Sequence, residues 1–170
     1  MNCLPASLQV LYPFESRFCA LPEGKLHYVD QGSGAPIVML HGNPTWSFFY
    51  RDLVIRLRQH HRCLALDHLG CGLSDKPADA AYRLQAHVDR TVHWLESLEL
   101  ERFSLVVHDW GGAIGMGVAR ALWDRIDRVV ILNTAAFRYP SIPLRIRICR
   151  VPLLGKALVQ GLNGFARAAT

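Results

Sequence analysis

The sequence has neither a long apolar run nor a leader-like amino end. None of its apolar stretches approaches the roughly 18 continuous residues of a membrane-spanning helix. No charged segment followed by a long apolar run opens the chain, so the sequence predicts no signal peptide. Internal repeats and low-complexity segments are also missing. We therefore expect a globular chain with no membrane span.

Cysteine is sparse and unpaired in pattern. The chain has five cysteines, an odd number, and no Cys-x-x-Cys pair occurs among them. They are Cys3, Cys19, Cys63, Cys71 and Cys149. This usage favours reduced thiols in a cytoplasmic protein over a disulfide framework or a zinc site. The sequence predicts no cofactor and no metal, with a metal at Asp67 and His68 as a weak alternative.

Charge of one sign is not concentrated in a binding surface. The net charge is +5, but the basic residues are scattered until Arg138–Arg150. No basic patch alternates with aromatic side chains, which argues against a nucleic-acid partner. Apolar residues make up 51% of the 170 residues, enough for one domain with a proper core.

Short apolar strands alternate with amphipathic helices, which indicates an α/β fold with a mostly parallel sheet and helices on both faces. Residues 1–15 are expected to be irregular, and Thr45 or Ser47 to cap the first helix. The predicted strands are Glu15–Ala20, Lys25–Asp30, Pro36–Leu40, Arg62–Leu66, Phe103–Val107 and a buried Arg128–Leu132. The predicted helices are Ser47–His60, Leu84–Leu98, Gly112–Ala121 and Ala157–Ala169.

The stretch Leu105–Gly112 is typical of a strand, a sharp turn and a helix. Asp109 stands at the apex, and Gly111 and Gly112 let the helix pack closely behind it, as in a nucleophile elbow. A carboxylate needs no base to act as a nucleophile. It attacks best at an sp3 carbon bearing a leaving group or at a strained ring, which leaves an ester on the enzyme. The alternative is an ordinary helix cap or turn residue.

A second loop, His41–Trp46, also follows a predicted buried strand. Because ligands bind beyond the carboxyl ends of parallel strands, both loops are expected on one rim of the sheet. The backbone N–H groups of Asn43 and Trp110 would then form an oxyanion hole. Their side chains would hold a leaving halide or carboxylate. The alternatives are a turn initiator for Asn43 and a core aromatic for Trp110.

Other residues near these loops are assigned supporting roles. His41 and His108 are expected to hydrogen-bond a loop, with a role as base left open. Asp67 and His68 are expected to fix the glycine-rich loop that follows them. An apolar substrate pocket is predicted for Trp46 and Phe137, together with Phe48 and Phe49, although helix packing alone explains most of these side chains.

The composition changes at residue 137, where prolines and arginines become frequent. We therefore divide the chain into residues 1–136, the amino-terminal part of the core, and residues 137–170, the start of an incomplete helical cap. The alternative for the second part is a short helix docked on the sheet.

Three motifs resemble the haloalkane dehalogenase branch of the α/β-hydrolases, over about residues 25–135. They are His41–Ser47, Asp67–Pro77 and His108–Gly112. Within that branch, Leu132–Phe137, Asp67-His68 and Asn163–Phe165 are most similar to the β-lactone decarboxylases of bacterial olefin biosynthesis.

The resemblance implies an α/β-hydrolase fold and a helical cap over an apolar pocket. It also implies that Asp109 is the nucleophile and that Asn43 and Trp110 are the leaving-group and oxyanion donors. The expected substrate is a small apolar molecule, first a β-lactone that is opened and loses carbon dioxide to leave an alkene. Haloalkane hydrolysis, epoxide hydrolysis and a non-catalytic binding role are the alternatives. Partner enzymes of an olefin pathway are a further expectation.

The family's water-activating histidine and its acidic partner have no counterpart in this sequence. No histidine follows His108, and Asp124 and Asp127 are the only acidic residues after Asp109. We therefore expect a carboxyl-terminally truncated fold that carries out the first half-reaction without turnover. The last predicted strand would lie at a sheet edge, which favours association between chains.

Overall fold

The computed structural model describes residues 4–134, 144–149, 151–152, 155 and 157–161. The chain divides into two compact units, residues 1–136 and residues 137–170. In the second unit, a helix covers Leu144–Cys149 and a π-helical turn covers Ala157–Gly161. The rest of the predicted helix Ala157–Ala169 lies outside the described residues, as do Phe137 and Tyr139.

The first unit is built on a six-stranded sheet. Strands β3 to β6 are parallel to one another, and the hairpin β1–β2 joins them antiparallel through β4. The order across the sheet is β1-β2-β4-β3-β5-β6. The bounds are β1 Arg17–Leu21, β2 Gly24–Gln31, β3 Pro36–Leu40, β4 Arg62–Leu66, β5 Phe103–His108 and β6 Ile126–Leu132. The mostly parallel α/β fold predicted from the sequence is confirmed.

Helices connect the strands. The α-helices are α1 Ala6–Leu11, α2 Arg51–Leu57, α3 Leu84–Ser97, α4 Trp110–Ala121 and, in the second unit, α5 Leu144–Cys149. Short 3-10 helices cover Ser47–Tyr50 and Trp123–Arg125. None of the helices in the described part of the chain combines the length and apolar character needed to cross a bilayer.

Alternate residues of the central strands pack on opposite faces of the sheet, because successive side chains of a strand point to opposite sides. Val38 and Leu40 of β3 belong to the core cluster that includes Trp94 of α3. Met39, between them, belongs to the cluster that includes Val54 of α2. Both clusters are fully buried at these positions, so each face of the sheet has a helical cover.

Three predictions about local structure were wrong. The lead-in contains the helix α1, although Pro5 at its N-cap position makes no side-chain capping bond. The predicted helix Ser47–His60 is split into a 3-10 turn and α2, and neither start carries a side-chain cap. The hydroxyls predicted to cap this helix are used elsewhere: Ser47 is buried against the Tyr12 hydroxyl, and Thr45 donates to Trp46 O.

Strand β6 was predicted to be buried, but most of its residues are exposed. It pairs only with β5 among the described residues, so it forms an edge of the sheet. Val130, Ile131 and Leu132 are 45%, 60% and 37% exposed. An apolar edge strand presents unpaired backbone N–H and C=O groups beside exposed apolar side chains, which promotes association between chains.

We predict that Ile131→Lys reduces self-association of the chain, because a charge on an edge strand opposes strand-to-strand pairing. Light scattering of the purified chain measures the effect. Val10→Lys, at a residue on α1 that is 78% exposed, is the matched control and leaves the apparent mass unchanged. Equal association of the two variants would mean that β6 is not the contact surface.

Candidate active site

Asp109 occupies the sharp turn between β5 and α4. Its backbone has φ +50° and ψ −125°, a left-handed conformation that is uncommon for a residue other than glycine. Such a conformation costs on the order of 1–3 kcal/mol and persists only where the surroundings impose it. Here its carbonyl oxygen accepts the Gly112 N–H at 2.9 Å and also the Thr134 hydroxyl.

Three glycines allow the two loops and the helix to meet. A Cβ on Gly42 would lie 2.2 Å from the Asp109 Cβ, and a Cβ on Gly111 would lie 2.0 Å from the carbonyl oxygen of Leu40. A Cβ on Gly112 would lie 2.0 Å from the Thr134 hydroxyl. Real side chains do not tolerate such distances, so the elbow geometry requires glycine at these positions.

The loop after β3 reaches the Asp109 carboxylate directly. The Asn43 backbone N–H donates to Asp109 Oδ1 at 2.8 Å, across the adjacent strands β3 and β5. The other oxygen, Oδ2, has no hydrogen-bond partner among the described residues. Trp110 begins α4 and is half exposed, so its N–H is one of the first helical donors and needs no partner inside the helix. The Asn43 N–H thus contacts the carboxylate, and Trp110 follows Asp109 directly at the start of α4. Their role as oxyanion and leaving-group donors stays a prediction.

His41 braces the base of this loop. It is fully buried, and its Nδ1 donates to the Gly42 carbonyl at 2.7 Å, while its Nε2 accepts the His68 backbone N–H at 3.0 Å. Burial lowers the pKa of His41, which keeps the ring neutral. With both nitrogens engaged, His41 is a structural residue and is not placed to serve as a base.

Asp67 fixes the glycine-rich loop from a buried position. Its carboxylate accepts the N–H groups of Ser47 at 2.7 Å and Leu73 at 2.8 Å, and pairs with His27 Nδ1 at 2.9 Å. Burial alone raises the pKa of Asp67, but the His27 contact and these donors bring it below its ordinary value. The carboxylate oxygens already accept these hydrogen bonds, so the structure gives no support to the weak alternative of a metal at Asp67 and His68. The described residues contain no cluster suited to a metal ion.

A small cavity of about 90 Å³ opens beside the two donors that flank Asp109. Its lining includes His41, Asn43, His68, His87, Trp110 and Ile114. His68 Nε2 and His87 Nδ1 are buried and have no hydrogen-bond partner among the described residues. Burial holds the pKa of His68 well below its usual range and lowers that of His87 to about 4, so both rings are neutral at pH 7.

His108 and Trp46 lie in surroundings that differ from those predicted. His108 stacks on Phe49 with ring centroids 4.3 Å apart, and its buried Nδ1 has no partner among the described residues. The expected hydrogen bond from His108 to a loop is therefore wrong. Trp46 stacks on Phe48 and packs against Tyr12, and it does not line the His41 cavity. A pocket role for Trp46 stays a prediction, and Phe137 lies outside the described residues.

Sequence reasoning missed Thr134 and His27. Thr134 follows β6 and holds the backbone of Asp109 from a distance of 25 residues along the chain. His27 lies in the middle of β2 and pairs with Asp67, 40 residues away. Neither residue belongs to a local motif, so the only signals were a hydroxyl after a strand and a polar residue inside one.

We predict that Gly42→Ala destabilises the chain by about 1–3 kcal/mol, because the added methyl group forces the loop and the elbow apart. Urea unfolding measures the change in the free energy of unfolding. Gly161→Ala is the control, since a Cβ at Gly161 meets nothing within 4 Å. A Gly42→Ala variant as stable as that control would contradict the close approach.

We also predict that the free energy of unfolding falls as the pH is lowered from 7 to 5. Burial lowers the pKa values of His41, His68 and His87 in the folded chain. Between those values and the ordinary 6.5 the unfolded chain binds more protons, so acid favours unfolding. Urea unfolding at several pH values tests this. His87→Gln reduces the slope, because it removes one of these buried rings.

Comparison with known proteins identifies the family of this fold. The alpha/beta hydrolase fold family matches residues 35–161. A cis-3-alkyl-4-alkyloxetan-2-one decarboxylase of Shewanella oneidensis is 50% identical over 169 residues, covering 96% of this chain and 53% of the relative. Haloalkane dehalogenase 2 of Mycobacterium bovis is 47% identical over 124 residues, covering 73% of this chain and 43% of the relative.

Solved structures give the same result. The haloalkane dehalogenase DatA of Agrobacterium tumefaciens superposes with a TM-score of 0.79 at 34% identity, covering 89% of this chain and 54% of the other. The chain spans about half the length of the curated relatives it matches. The matched fold, the elbow and its flanking donors lead to one conclusion: the chain belongs to the α/β-hydrolase fold family, in its haloalkane dehalogenase-like branch.

Proposed function

We propose that Asp109 is a nucleophile that attacks an sp3 carbon of a small apolar substrate and forms an alkyl ester on the enzyme. The observation that carries the proposal is the pinned carboxylate. The Asn43 N–H holds Oδ1 at 2.8 Å, and Asp109 stands at the amino end of α4. A carboxylate held in one orientation, with one oxygen left unpaired, is suited to direct attack.

The substrate we favour is a β-lactone, because the decarboxylase relative matches 96% of this chain. An Asp109 oxygen attacks the sp3 ring carbon that is bonded to the ring oxygen, not the carbonyl carbon. That carbon–oxygen bond breaks, and its electron pair becomes a carboxylate on the opened substrate. The side-chain amide of Asn43 and the indole N–H of Trp110 would donate hydrogen bonds to this new anion.

The second step returns the enzyme to its starting state. The bond between the substrate's carboxylate and its neighbouring carbon breaks, and carbon dioxide leaves. The released electron pair forms the double bond of the alkene as the ester bond to Asp109 breaks, and the ester electrons return to the Asp109 carboxylate. No water and no proton are consumed. Turnover on a β-lactone therefore does not need the water-activating histidine that this sequence lacks after His108. For this substrate we replace the sequence-based expectation of a first half-reaction without turnover by one of repeated turnover.

Haloalkane hydrolysis is the second candidate, supported by the dehalogenase relative and by the similarity to DatA. The same attack would release a halide to Asn43 and Trp110. Breaking the resulting ester needs an activated water molecule. We propose that this chain stops at the ester, because His41 has both ring nitrogens engaged. Epoxide hydrolysis has weaker support, and olefin-pathway partners stay a prediction.

We predict two different outcomes when the chain meets the two substrate classes. Incubation with 1-bromohexane adds one hexyl group at Asp109, which intact mass and peptide mapping detect. Incubation with a cis-3,4-dialkyl-oxetan-2-one releases alkene over several turnovers and leaves the chain mass unchanged. The difference arises because only the haloalkane reaction requires water to release the enzyme.

Asp109→Asn removes the nucleophile and should show neither the adduct nor the alkene. Asp79→Asn, at an exposed carboxylate, is the matched control and keeps both. Neither adduct nor alkene in the unaltered chain would argue for the binding-protein alternative. A hexyl group mapped to a residue other than Asp109 would overturn the assignment of the nucleophile.

A further inference from the structure

The cavity beside Asn43 and Trp110 is also lined by two histidines that have no role in the attack by Asp109. His68 is only 5% exposed, yet its Nε2 has no hydrogen-bond partner among the described residues. His87 Nδ1 is buried in the same state, and both residues line the cavity. Buried polar atoms in folded proteins are nearly always satisfied, so two unpartnered ring nitrogens on residues that line one small cavity favour a polar ligand there.

The walls of the cavity carry donors and no anion. Among its lining residues there is no Asp or Glu, and the Cys71 thiol stays neutral because burial raises its pKa to about 11. Each neutral imidazole carries one ring N–H that can donate. The Asn43 amide and the Trp110 indole add two further donors. A cluster of donors without an anion favours a ligand rich in acceptor oxygens.

We propose that this cavity is a carboxylate pocket, in which His68 and His87 bind the carboxylate that forms when a β-lactone ring opens. The inference rests on the proposed function. A halide is a single atom and needs only the pair Asn43 and Trp110. A carboxylate has two oxygens and more acceptor sites, and the second oxygen would reach the cavity beyond that pair. His68 and His87 are thus specificity residues for a lactone over a haloalkane.

Neutral donors suit the loss of carbon dioxide. A cationic side chain would hold the negative charge on the carboxylate and oppose its departure. Neutral imidazoles orient the group by hydrogen bonds but leave its charge uncompensated in a small, partly enclosed site, which is unfavourable for the anion. Release of uncharged carbon dioxide relieves that cost. The surroundings of His68 and His87 keep the rings neutral at pH 7, as burial does for buried bases in general.

The pocket is tested without any reaction. The full chain carrying Asp109→Asn, whose neutral amide mimics the uncharged aspartyl ester, is titrated with sodium butyrate and separately with sodium bromide. Binding is measured from the NMR signals of the histidine ring nitrogens. Each signal is assigned by its loss in a variant in which one histidine is replaced. We expect butyrate to shift the signals of His68 and His87 and not that of the exposed His93.

Variants separate a donor role from a structural one. In the same background, His68→Leu should weaken butyrate binding about tenfold, the loss expected for one hydrogen bond to a charged group. His68→Gln places a side-chain donor at the same position and should restore most of the affinity. His93→Leu should have no effect. His87→Leu provides a second test on a different element should His68→Leu unfold, which circular dichroism detects.

Bromide binding should be unchanged in His68→Leu, because the halide contacts only Asn43 and Trp110. The inference is overturned if butyrate leaves the signals of His68 and His87 unmoved, or if both leucine variants bind butyrate as tightly as the parent. Equal losses for butyrate and bromide would also overturn it. If the Asp109 adduct forms but butyrate does not bind, the pocket is wrong and the nucleophile stands. If butyrate binds but no adduct forms, the pocket stands and the assignment of Asp109 as the nucleophile is wrong.

Discussion

The approach of the β3 loop to the elbow after β5 is the contact on which the rest of the site depends. Strands β3 and β5 are parallel neighbours, so the loops that follow them emerge side by side. Gly42 leaves no room for a side chain against Asp109, and the next N–H, from Asn43, reaches the carboxylate. The same packing requires glycine behind the elbow, where a Cβ on Gly111 would strike the β3 backbone. Asp109, in its left-handed turn, is therefore held by backbone packing more than by side chains.

The buried titratable groups near this contact differ in charge. The Asp67 carboxylate is ionised, whereas the buried histidine rings are neutral. Asp67 stays ionised because backbone N–H groups and His27 replace the water it gave up. The rings of His41, His68 and His87 have no such compensation for a positive charge, and burial makes them neutral. The result is one buried negative charge at the glycine-rich loop and a set of neutral imidazole rings beside Asn43 and Trp110.

Much of the architecture could be predicted because it is local. The strands Pro36–Leu40 and Arg62–Leu66 were predicted with their observed bounds, since continuous apolar runs bounded by turn residues have few other solutions. The errors occurred where a distant residue decides. Ser47 was predicted to cap a helix, but its hydroxyl meets Tyr12. His108 was expected to hydrogen-bond a loop, but it stacks on Phe49 instead. Edge position, which exposes β6, depends on the order of the whole sheet.

The sequence by itself determined the fold class, the elbow and its two flanking loops, because glycine spacing and apolar runs act over a few residues. It also identified Asn43, Asp109 and Trp110 as residues that meet on one rim, since parallel strands end at the same edge. Only the tertiary structure decided which oxygen of Asp109 is held, and that Thr134 holds its backbone. It alone showed that His68 and His87 share a cavity with Asn43 and Trp110. These features join residues from separate elements, and their distances follow from packing, which no local pattern encodes.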